Sequence, residues 1–372
     1  MTPSNAFRIA VLPGDGIGPE VTDPCLEVMA AAEKKVGGFS LSTDSYPAGA
    51  GHFRDEGVSL PRPTLDACSK ADAILLAAMG LPEVRMPDGT EIAPQLDLRF
   101  EYELYAGVRP VRTMPGLPSV LSDPRAANLD FVLVRESTEG LFATRARGAV
   151  VNDVVATETM VITRHISERL FDFCFRLAEA RKKRGRRGQL TCVDKANVFA
   201  AFAFFRKIFD ERGQAFPDIE KRYAYVDAVA LDMVRKPWDF DVLVTENMFG
   251  DILSDLGAGL MGGMGLAPSA DIGDEHAVFQ PCHGTAPDIA GEGKANPTAM
   301  ILSGAMMLEW LGDRHDSQSA HKAARLIEAA VSRAYTESKL QPVEKGGSHG
   351  TRDITAAVLA AIDAIDPGDL DT

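Results

Sequence analysis

The sequence predicts an α/β protein whose sheet is largely parallel. Short apolar runs, such as RIAVLPG at 8–14 and FVLVRE at 131–136, alternate with longer amphipathic stretches, and this alternation is typical of strands joined by helical crossovers. The length of 372 residues exceeds what one hydrophobic core usually supports, so two lobes are expected. A formal net charge of −14 argues against nucleic acid or an anionic membrane as partner.

The first strand, RIAVLPG, leads into a turn from which a helix is expected to begin near Pro19. Glycines stand at positions 14, 16 and 18, so the segment misses the GxGxxG spacing of the Rossmann dinucleotide-binding fold. A tight strand-to-helix turn with proline in the first helical turn accounts for it. The N-terminal lead is polar and the chain has no apolar span of 18 residues, so neither export nor a membrane anchor is expected.

Four further apolar runs are predicted as strands: AILLAAMG (73–80), FVLVRE (131–136), LTCVDK (190–195) and DVLVTE (241–246). Residues 146–164 are rich in β-branched side chains and lack helical periodicity, which predicts an antiparallel arm or hairpin. From about 297 the chain is alanine-rich and amphipathic, which predicts helices that pack on the first lobe.

Cysteine usage and the one basic run carry little chemistry. The five cysteines have no CxxC or other metal-ligand spacing, and an odd number forms no complete disulfide framework. Reduced thiols in the cytoplasm are the simplest account. RKKRGRR at 181–187 follows an apolar-periodic stretch, which favours a solvated helix C-terminus over a nucleic-acid patch.

Two aspartates, Asp251 and Asp255, stand one helical turn apart directly after the strand DVLVTE. Carboxylates at i and i+4 share a helix face and are close enough to bind one divalent cation. A helix that follows a strand end is also where open α/β sheets build ligand sites. Such a pair can instead merely complement the helix dipole. The glycine-rich run at 257–265 favours the metal site, because helical glycines usually mark a close approach.

Charged residues next to other strand-like segments are candidates for substrate binding and catalysis. Arg99, Arg109 and Arg135 would hold a di- or tricarboxylate if they converged, whereas each alone would be a surface or salt-bridge residue. Lys195, at the end of LTCVDK, is either a general base near a metal or a solvated charge. Asp227 stands at the start of a helix, where a carboxylate can simply complement the helix dipole.

The segment PCHGTAPDIAGEGKANPTAM at 281–300 has no regular periodicity until Pro297 opens a helix. Long loops of this kind generally bind a ligand. Backbone amides, His283 and Asp288 would suit a nucleotide, with Asp288 accepting hydrogen bonds from ribose hydroxyls and repelling a 2′-phosphate. This arrangement indicates NAD rather than NADP.

Together these segments resemble the β-decarboxylating dehydrogenases, the family of isopropylmalate, isocitrate, homoisocitrate and tartrate/malate dehydrogenases. The motifs PGDGIGPE, LR followed ten residues later by RP, VRESTEG, VDKAN, YVDA, NMFGDILSD and HGTAPDIAG…ANP occur in the family's order along essentially the whole chain. The resemblance implies a two-lobed isopropylmalate/isocitrate dehydrogenase-like fold with mixed sheets flanked by helices. It implies a first, cofactor-side lobe at 1–103 and 257–372. The second lobe, 104–256, would carry dimerisation and the substrate and metal residues, with an arm near 145–165.

The resemblance also implies the chemistry. Family members oxidise the C2 hydroxyl of a 3-carboxy-2-hydroxy acid by hydride transfer to NAD(P), then decarboxylate the product through a metal-stabilised enolate. The implied cofactors are NAD and Mg²⁺ or Mn²⁺, and the implied assembly is a homodimer with shared active sites. The implied site residues are Arg99, Arg109 and Arg135 for the substrate carboxylates; Asp251 and Asp255 of one subunit with Asp227 of the other for the metal; Lys195, also of the other subunit, as base; and His283, Gly284, Thr285, Ala286, Pro287, Asp288 and Asn296 for NAD.

Two departures from the family pattern bear on activity. Phe142 stands where the family has a tyrosine that helps to protonate the enol carbon, so decarboxylation or tautomerisation would be slow unless Thr144 or a water supplies the proton. Around Gln95 the chain lacks both the paired leucines of isopropylmalate enzymes and the Ser/Asn pair of isocitrate enzymes. A malate- or tartrate-type substrate is therefore slightly favoured over 3-isopropylmalate. The alternatives are an isocitrate-type dehydrogenase, or a non-catalytic regulatory paralogue that would keep a costly set of charges without a ligand.

Overall fold

The computed structural model describes residues 5–145 and 147–370. The predicted polar lead at 1–4, Ala146 of the predicted arm and the last two residues lie outside the described residues. The strands are β1 Ala6–Gly14, β2 Ser40–Ser45, β3 Ala73–Ala78, β4 Ala106–Arg112, β5 Asp130–Glu136, β6 Ala149–Val151, β7 Val155–Thr157, β8 Gln189–Asp194, β9 Glu220–Tyr225, β10 Val242–Thr245, β11 Pro268–Ile272 and β12 Ala277–Pro281. The α-helices are α1 Gly18–Val36, α2 Ala50–Glu56, α3 Arg62–Cys68, α4 Pro94–Glu101, α5 Arg164–Lys183, α6 Ala200–Arg212, α7 Val226–Arg235, α8 Asn247–Met261, α9 Thr298–His315, α10 Gln318–Glu337 and α11 Thr351–Ala364.

One sheet of ten strands crosses the described part of the molecule, in the order β2-β1-β3-β12-β11-β4-β5-β10-β8-β9. Its two flanks are parallel, while β12, β11, β4 and β5 pair antiparallel at the centre. The centre therefore differs from the largely parallel sheet that the sequence predicts. The reason is local, because β11 and β12 are joined by only four residues, 273–276, and a connection this short can join only antiparallel strands. The predicted α/β class with mixed strands flanked by helices is confirmed.

The apolar runs form strands where the sequence predicts them, as β1, β3, β5, β8 and β10. β6 and β7 form a two-stranded antiparallel hairpin within the predicted arm. Strands from 1–103 and 257–372 lie on one side of the sheet centre, and strands from 104–256 lie on the other. Because the sheet is continuous across these boundaries, the division into two lobes stays a prediction.

The turn after β1 supports the long loop at 281–297. Gly14 and Gly16 have φ angles of +70° and +57°, which a side chain rarely adopts. A Cβ at Gly16 would lie 2.1 Å from the main-chain oxygen of Thr285, so only glycine fits against this loop. The Asp15 carboxylate accepts main-chain hydrogen bonds from Ala50 (2.7 Å) and Gly80 (2.8 Å). The turn is therefore structural, as its sequence indicates.

Other global features agree with the composition. The five cysteines are free thiols and four of them are buried. None of the helices in residues 5–145 and 147–370 combines the length and apolar character that crossing a membrane requires.

Candidate active site

Three arginines converge at the centre of the sheet. Gly107 of β4 lies opposite Arg135 of β5, and Arg109 follows Gly107 by two residues, so Arg109 and Arg135 share one face of the sheet. Arg99, from α4, reaches the same place, because its Nε lies 3.0 Å from the Asp271 carboxylate, which also receives Arg109 Nη2 at 3.1 Å. The convergence that would turn three separate charges into one anion site is therefore present.

The three arginines line a cavity of about 200 Å³, the arginine cavity. Their exposed fractions are 6% for Arg99, 6% for Arg109 and 4% for Arg135. Burial, followed by the charge of Arg99, lowers the pKa of Arg135 to about 10, so the cavity concentrates positive charge in a place that water screens poorly. The cavity is also lined by Gln95, Asp251, Asp255, Gln280, Cys282, His283 and Gly284.

Asn247, the first residue of α8, fixes the orientation of Arg135. Its Oδ1 accepts hydrogen bonds from Arg135 Nε (2.9 Å) and Nη2 (2.7 Å), and its Nδ2 donates to the main-chain oxygen of Glu139 (3.0 Å). Glu246 caps the same helix by accepting from Phe249 N at 2.7 Å. A capped helix start thus holds the third arginine in one geometry.

Asp251 and Asp255 lie on α8 at the wall of the arginine cavity, and Asp251 is ion-paired with Arg135. Burial, followed by the nearby charge of Asp251, raises the pKa of Asp255. Two carboxylates are therefore held close together at an energetic cost that a cation would relieve. Within residues 5–145 and 147–370, no three His, Cys, Asp or Glu side chains are grouped to hold a metal. Asp227 thus does not join this pair within one copy.

Lys195 and Asp227 form a separate ion pair. Lys195 Nζ lies 2.5 Å from Asp227 Oδ1, across the gap between the end of β8 and the start of α7. This hydrogen bond lowers the pKa of Asp227. Neither residue lines the arginine cavity. One copy of the chain thus brings together the arginines and two aspartates but keeps the predicted base apart from them.

The loop at 281–297 reaches the arginine cavity through His283 and Gly284. His283 Nδ1 lies 2.9 Å from the main-chain oxygen of Gly284, and burial lowers the pKa of this histidine. Nδ1 then carries the hydrogen, and Nε2 of the neutral ring is left as an acceptor. Nε2 is buried without a hydrogen-bond partner among the described residues.

The other predicted loop residues have different roles. Thr285 Oγ1 donates to the main-chain oxygen of Gly80 (2.7 Å), and Asn296 Nδ2 donates to Glu344 (2.7 Å). Ala286 adopts φ +35°, Pro287 opens a short 3₁₀ turn, and Asp288 is exposed. Thr285 and Asn296 therefore shape the loop, while Asp288 is open to solvent.

The comparisons with known proteins agree with this arrangement. The isocitrate/isopropylmalate dehydrogenase family model matches residues 8–358. A 3-isopropylmalate/3-methylmalate dehydrogenase of Methanocaldococcus jannaschii is 38% identical over 356 residues, which is 95% of this chain and 98% of that protein. A 3-isopropylmalate dehydrogenase of Moorella thermoacetica is 41% identical over 345 residues, 90% of this chain and 92% of its own. The crystal structure of isocitrate dehydrogenase from Methylococcus capsulatus matches with a TM-score of 0.82 at 36% identity, covering 96% of this chain and 99% of that one.

The chain belongs to the isocitrate/isopropylmalate dehydrogenase family. The predicted family is thereby confirmed, and with it the coarse activity, that of a dehydrogenase acting on a hydroxy acid.

Phe142 stands where the family pattern has a tyrosine, and its position in the structure bears on that difference. Its ring centroid lies 5.2 Å from the guanidinium carbon of Arg135, so the ring borders this arginine and brings no hydroxyl there. Thr144, the other predicted proton source, donates its hydroxyl to the main-chain oxygens of Thr159 (2.5 Å) and Leu141 (3.3 Å). The Thr144 proton is already held by the backbone, which leaves water as the remaining source.

Gln95 occupies the part of α4 that faces the arginine cavity. Its Oε1 is buried and has no hydrogen-bond partner among the described residues. An unpaired buried carbonyl oxygen costs about 1–3 kcal/mol, so a ligand group that donates a hydrogen bond would bind favourably there.

Asp271 is absent from the residues that the sequence predicts for this dehydrogenase site. It is 1% exposed and ties Arg99 to Arg109. The available signal is an aspartate inside the short strand PSADI, between Ala270 and Ile272, because a charged residue is buried in a strand only when it is paired. Its partners lie 162 and 172 residues away along the chain, and nothing in the sequence names them.

Proposed function

We propose that this chain is an NAD-dependent, Mg²⁺- or Mn²⁺-dependent dehydrogenase that oxidises a small 3-carboxy-2-hydroxy acid of the malate or tartrate type. We further propose that it acts as a cytoplasmic homodimer and decarboxylates its product slowly. One observation carries the proposal: three nearly buried arginines share one cavity with a pair of helix carboxylates. Arginines bind the carboxylates of a substrate, and aspartates bind a hard cation next to it.

The donor chemistry of α8 fits a divalent cation. Asp251 and Asp255 provide carboxylate oxygens, and the raised pKa of Asp255 reflects two negative charges that a cation would neutralise. A cation held there, with Asp227 of a second copy, would act as a Lewis acid towards the hydroxyl and then the ketone oxygen of the substrate. Lys195 Nζ of the second copy would take the hydroxyl proton.

The loop at 281–297 fits NAD. The buried, unpaired Nε2 of His283 is an acceptor suited to an N–H group of a nucleotide base, and the exposed carboxylate of Asp288 suits ribose hydroxyls and disfavours a 2′-phosphate. Bound NAD would supply the hydride acceptor. Asn296 keeps its side chain on Glu344, so its contribution would be to shape the loop.

An exposed apolar surface next to Lys195 supports the homodimer. Val198 and Phe199, just after Lys195, are 59% and 55% exposed, and Leu231 and Ile252, on α7 and α8, are 54% and 63% exposed. Large apolar side chains left in solvent mark an interaction site. A second copy seated there would cover them and bring its Lys195 and Asp227 to the neighbouring arginine cavity. The free thiols of all five cysteines support a cytoplasmic location.

Gln95 bears on the C3 substituent of the substrate. The unpaired Oε1 of Gln95 favours a hydroxylated substituent, because an isopropyl group would leave this oxygen unsatisfied. A second candidate, 3-isopropylmalate, is favoured by the activities named for the two relatives.

The test is NADH production with Mn²⁺ and NAD against D-malate, the tartrates, 3-isopropylmalate and isocitrate, with CO₂ release followed in parallel. NADH from D-malate or a tartrate, in excess of CO₂, is the expected result. NADH only from 3-isopropylmalate or isocitrate would replace the proposed substrate. No NADH from any acid, together with no binding of the acids, would favour a non-catalytic paralogue.

A further inference from the structure

The strongest unassigned feature is the buried carboxylate beneath the substrate arginines. Asp271 accepts hydrogen bonds from Arg99 Nε (3.0 Å), Arg109 Nη2 (3.1 Å), Gln280 Nε2 (2.8 Å) and Ser137 Oγ (3.3 Å). It is 1% exposed. Burial alone would raise its pKa, but Arg99 and Arg109 lower the pKa to about 2. The carboxylate is therefore ionised at neutral pH and fully engaged.

Strand register places Asp271 at this point. Gly107 of β4 pairs with Asp271 on one side and with Arg135 on the other, so the three positions form a row across β11, β4 and β5. The absence of a side chain at Gly107 leaves room for the carboxylate, since a Cβ there would lie 3.0 Å from Asp271 Oδ1 and 2.5 Å from Ser137 Oγ. The row thus includes a gap that the aspartate fills.

The contacts of Asp271 orient the two arginines toward the cavity. Arg99 uses only its Nε on Asp271, and its two terminal nitrogens make no other hydrogen bond among the described residues, so they can receive a carboxylate bidentately. Arg109 donates hydrogen bonds from Nη1 to the main-chain oxygens of Val108 (3.1 Å) and Ala270 (2.9 Å). Asp271 thus fixes which edge of each guanidinium remains for a substrate.

Asp271 also sets the charge of the cavity. The three arginines bring three positive charges, and the negative charge of Asp271 neutralises one of them. Asp251, Asp255 and Asp227 of the second copy carry three negative charges, which the proposed divalent cation and Lys195 of the second copy, the ion-pair partner of Asp227, would balance. The remaining excess of two positive charges matches a dicarboxylate, whereas a tricarboxylate would bring one negative charge into a buried site with no counter-charge, which is unfavourable.

We propose that Asp271 is a positioning and specificity-determining residue that aims Arg99 and Arg109 and restricts the substrate to dicarboxylic hydroxy acids. This inference rests on the proposed function and narrows it. It also explains why a carboxylate, Asp271, is buried against two of the arginines that are proposed to bind the substrate carboxylates.

The test compares a dianion and a trianion. D-Malate and isocitrate are titrated into the wild-type dimer with Mg²⁺ and without NAD, by calorimetry, and kcat and KM are then measured for both acids with NAD. D271N keeps the size and one acceptor oxygen and removes the charge. The affinity ratio of malate to isocitrate should fall by about tenfold or more. The variant leaves one more net positive charge in the cavity, and this charge attracts the trianion more strongly than the dianion. The change should fall mainly on KM.

D241N is the matched control. Asp241 is a second buried aspartate, 2% exposed, and it accepts a hydrogen bond of 2.7 Å from Arg181 Nε. It does not line the arginine cavity. D241N should lower stability and leave the malate-to-isocitrate ratio at the wild-type value. D271S removes the same charge with a smaller side chain, in case D271N does not fold.

The outcomes separate the inference from the proposed function. A wild-type protein that binds neither acid overturns the proposed function and this inference with it. A wild-type protein that binds malate, with a ratio unchanged within about twofold in D271N or D271S, overturns the inference alone. Equal losses for both acids would mean a purely structural role and would also overturn it.

Discussion

A single aromatic side chain, Phe142, separates the two chemical steps of the proposed reaction. Hydride transfer needs the hydroxyl proton removed, a task given to Lys195, whereas completion of decarboxylation needs a proton delivered to carbon. Phe142 lies beside Arg135 but has no proton to give, and Thr144 is bonded to the backbone. We therefore expect the substitution to slow the second step and to spare the first.

F142Y should accelerate CO₂ release and leave NADH formation nearly unchanged. A positioned general acid contributes about 10²- to 10⁴-fold, so the ratio of CO₂ to NADH in the first turnovers should rise toward equality. Stopped-flow NADH absorbance and CO₂ trapping on the same samples measure the two rates.

F100Y is the matched control for this change. Phe100 also lies beside an arginine, Arg145, with 5.4 Å between the guanidinium carbon and the ring centroid, but it is 37% exposed and does not line the arginine cavity. A hydroxyl there should alter neither rate. If wild type released CO₂ as fast as NADH and F142Y gave no gain, water would already serve as the acid and Phe142 would be neutral.

At the scale of the element, the start of α8 holds a buried arginine, and one side of the helix carries the carboxylate pair proposed to bind a cation. Its first residue, Asn247, holds Arg135, and one turn later Asp251 begins the carboxylate pair. The geometry follows from the helix repeat, because positions 247, 251 and 255 are each four residues apart and share one face. The same helix face thus holds Arg135 and presents the two carboxylates that are proposed to bind the metal.

Mn²⁺ should raise the melting temperature of the wild-type protein but not of D251N or D255N. Binding to the folded state alone stabilises it by about 2.7 kcal/mol when the ligand is at 100 times its Kd, so a shift of a few degrees is expected. Differential scanning fluorimetry with Mn²⁺ and with EDTA measures it.

D232N is the control for the metal effect. Asp232 is a carboxylate on the neighbouring helix α7, paired with Lys236 at 3.4 Å, and its loss should leave the Mn²⁺ shift intact. An equal Mn²⁺ shift in D251N and in wild type would mean that the aspartate pair only complements the helix and that the ion binds elsewhere.

Which elements the sequence predicts depends on how apolar they are. The buried strands β3, β5 and β10 are recognisable because each contains a run of consecutive apolar residues. β4 and β11 are harder, because Arg109 interrupts one and Asp271 the other, and each residue is buried only because the other is present. The edge strands β2 and β9 are largely exposed and polar. Apolar periodicity therefore finds most of the interior strands, β5 with Arg135 included, and misses β4 and β11, which carry Arg109 and Asp271.

The site follows the same rule. The positions of Arg99, Arg109 and Arg135 in or next to strand-like sequence indicate candidates, but their convergence depends on the register of β4 against β5 and β11. That register is a property of the folded sheet. The family motifs supply the roles without geometry, and Asp271, which has no place in those motifs, becomes visible only from its contacts.

At the scale of the whole molecule, one copy of the chain does not complete the proposed site, because Lys195 lies apart from the arginine cavity. Lys195 and Asp227 lie beside exposed Val198 and Phe199, and Asp251 and Asp255 lie beside exposed Ile252. A twofold dimer brings unlike patches of two copies together twice. Each site would then take its arginines from one copy and its base from the other.

Two inactive variants should therefore restore activity when combined. K195M removes the base and D251N removes a metal ligand, so each homodimer should be inactive. A mixed dimer keeps one intact site of two, built from the arginine cavity of the K195M copy and Lys195 of the D251N copy, so the purified mixed dimer should show about one half of wild-type activity. Coexpression with two affinity tags, followed by NADH assays on the doubly purified dimer, measures this.

Combining D251N with D255N is the control: both changes lie on the same side of every site, so no activity should return. Failure of the first pair to recover activity in a verified mixed dimer would place Lys195 and Asp251 in the same copy's site and refute the shared arrangement.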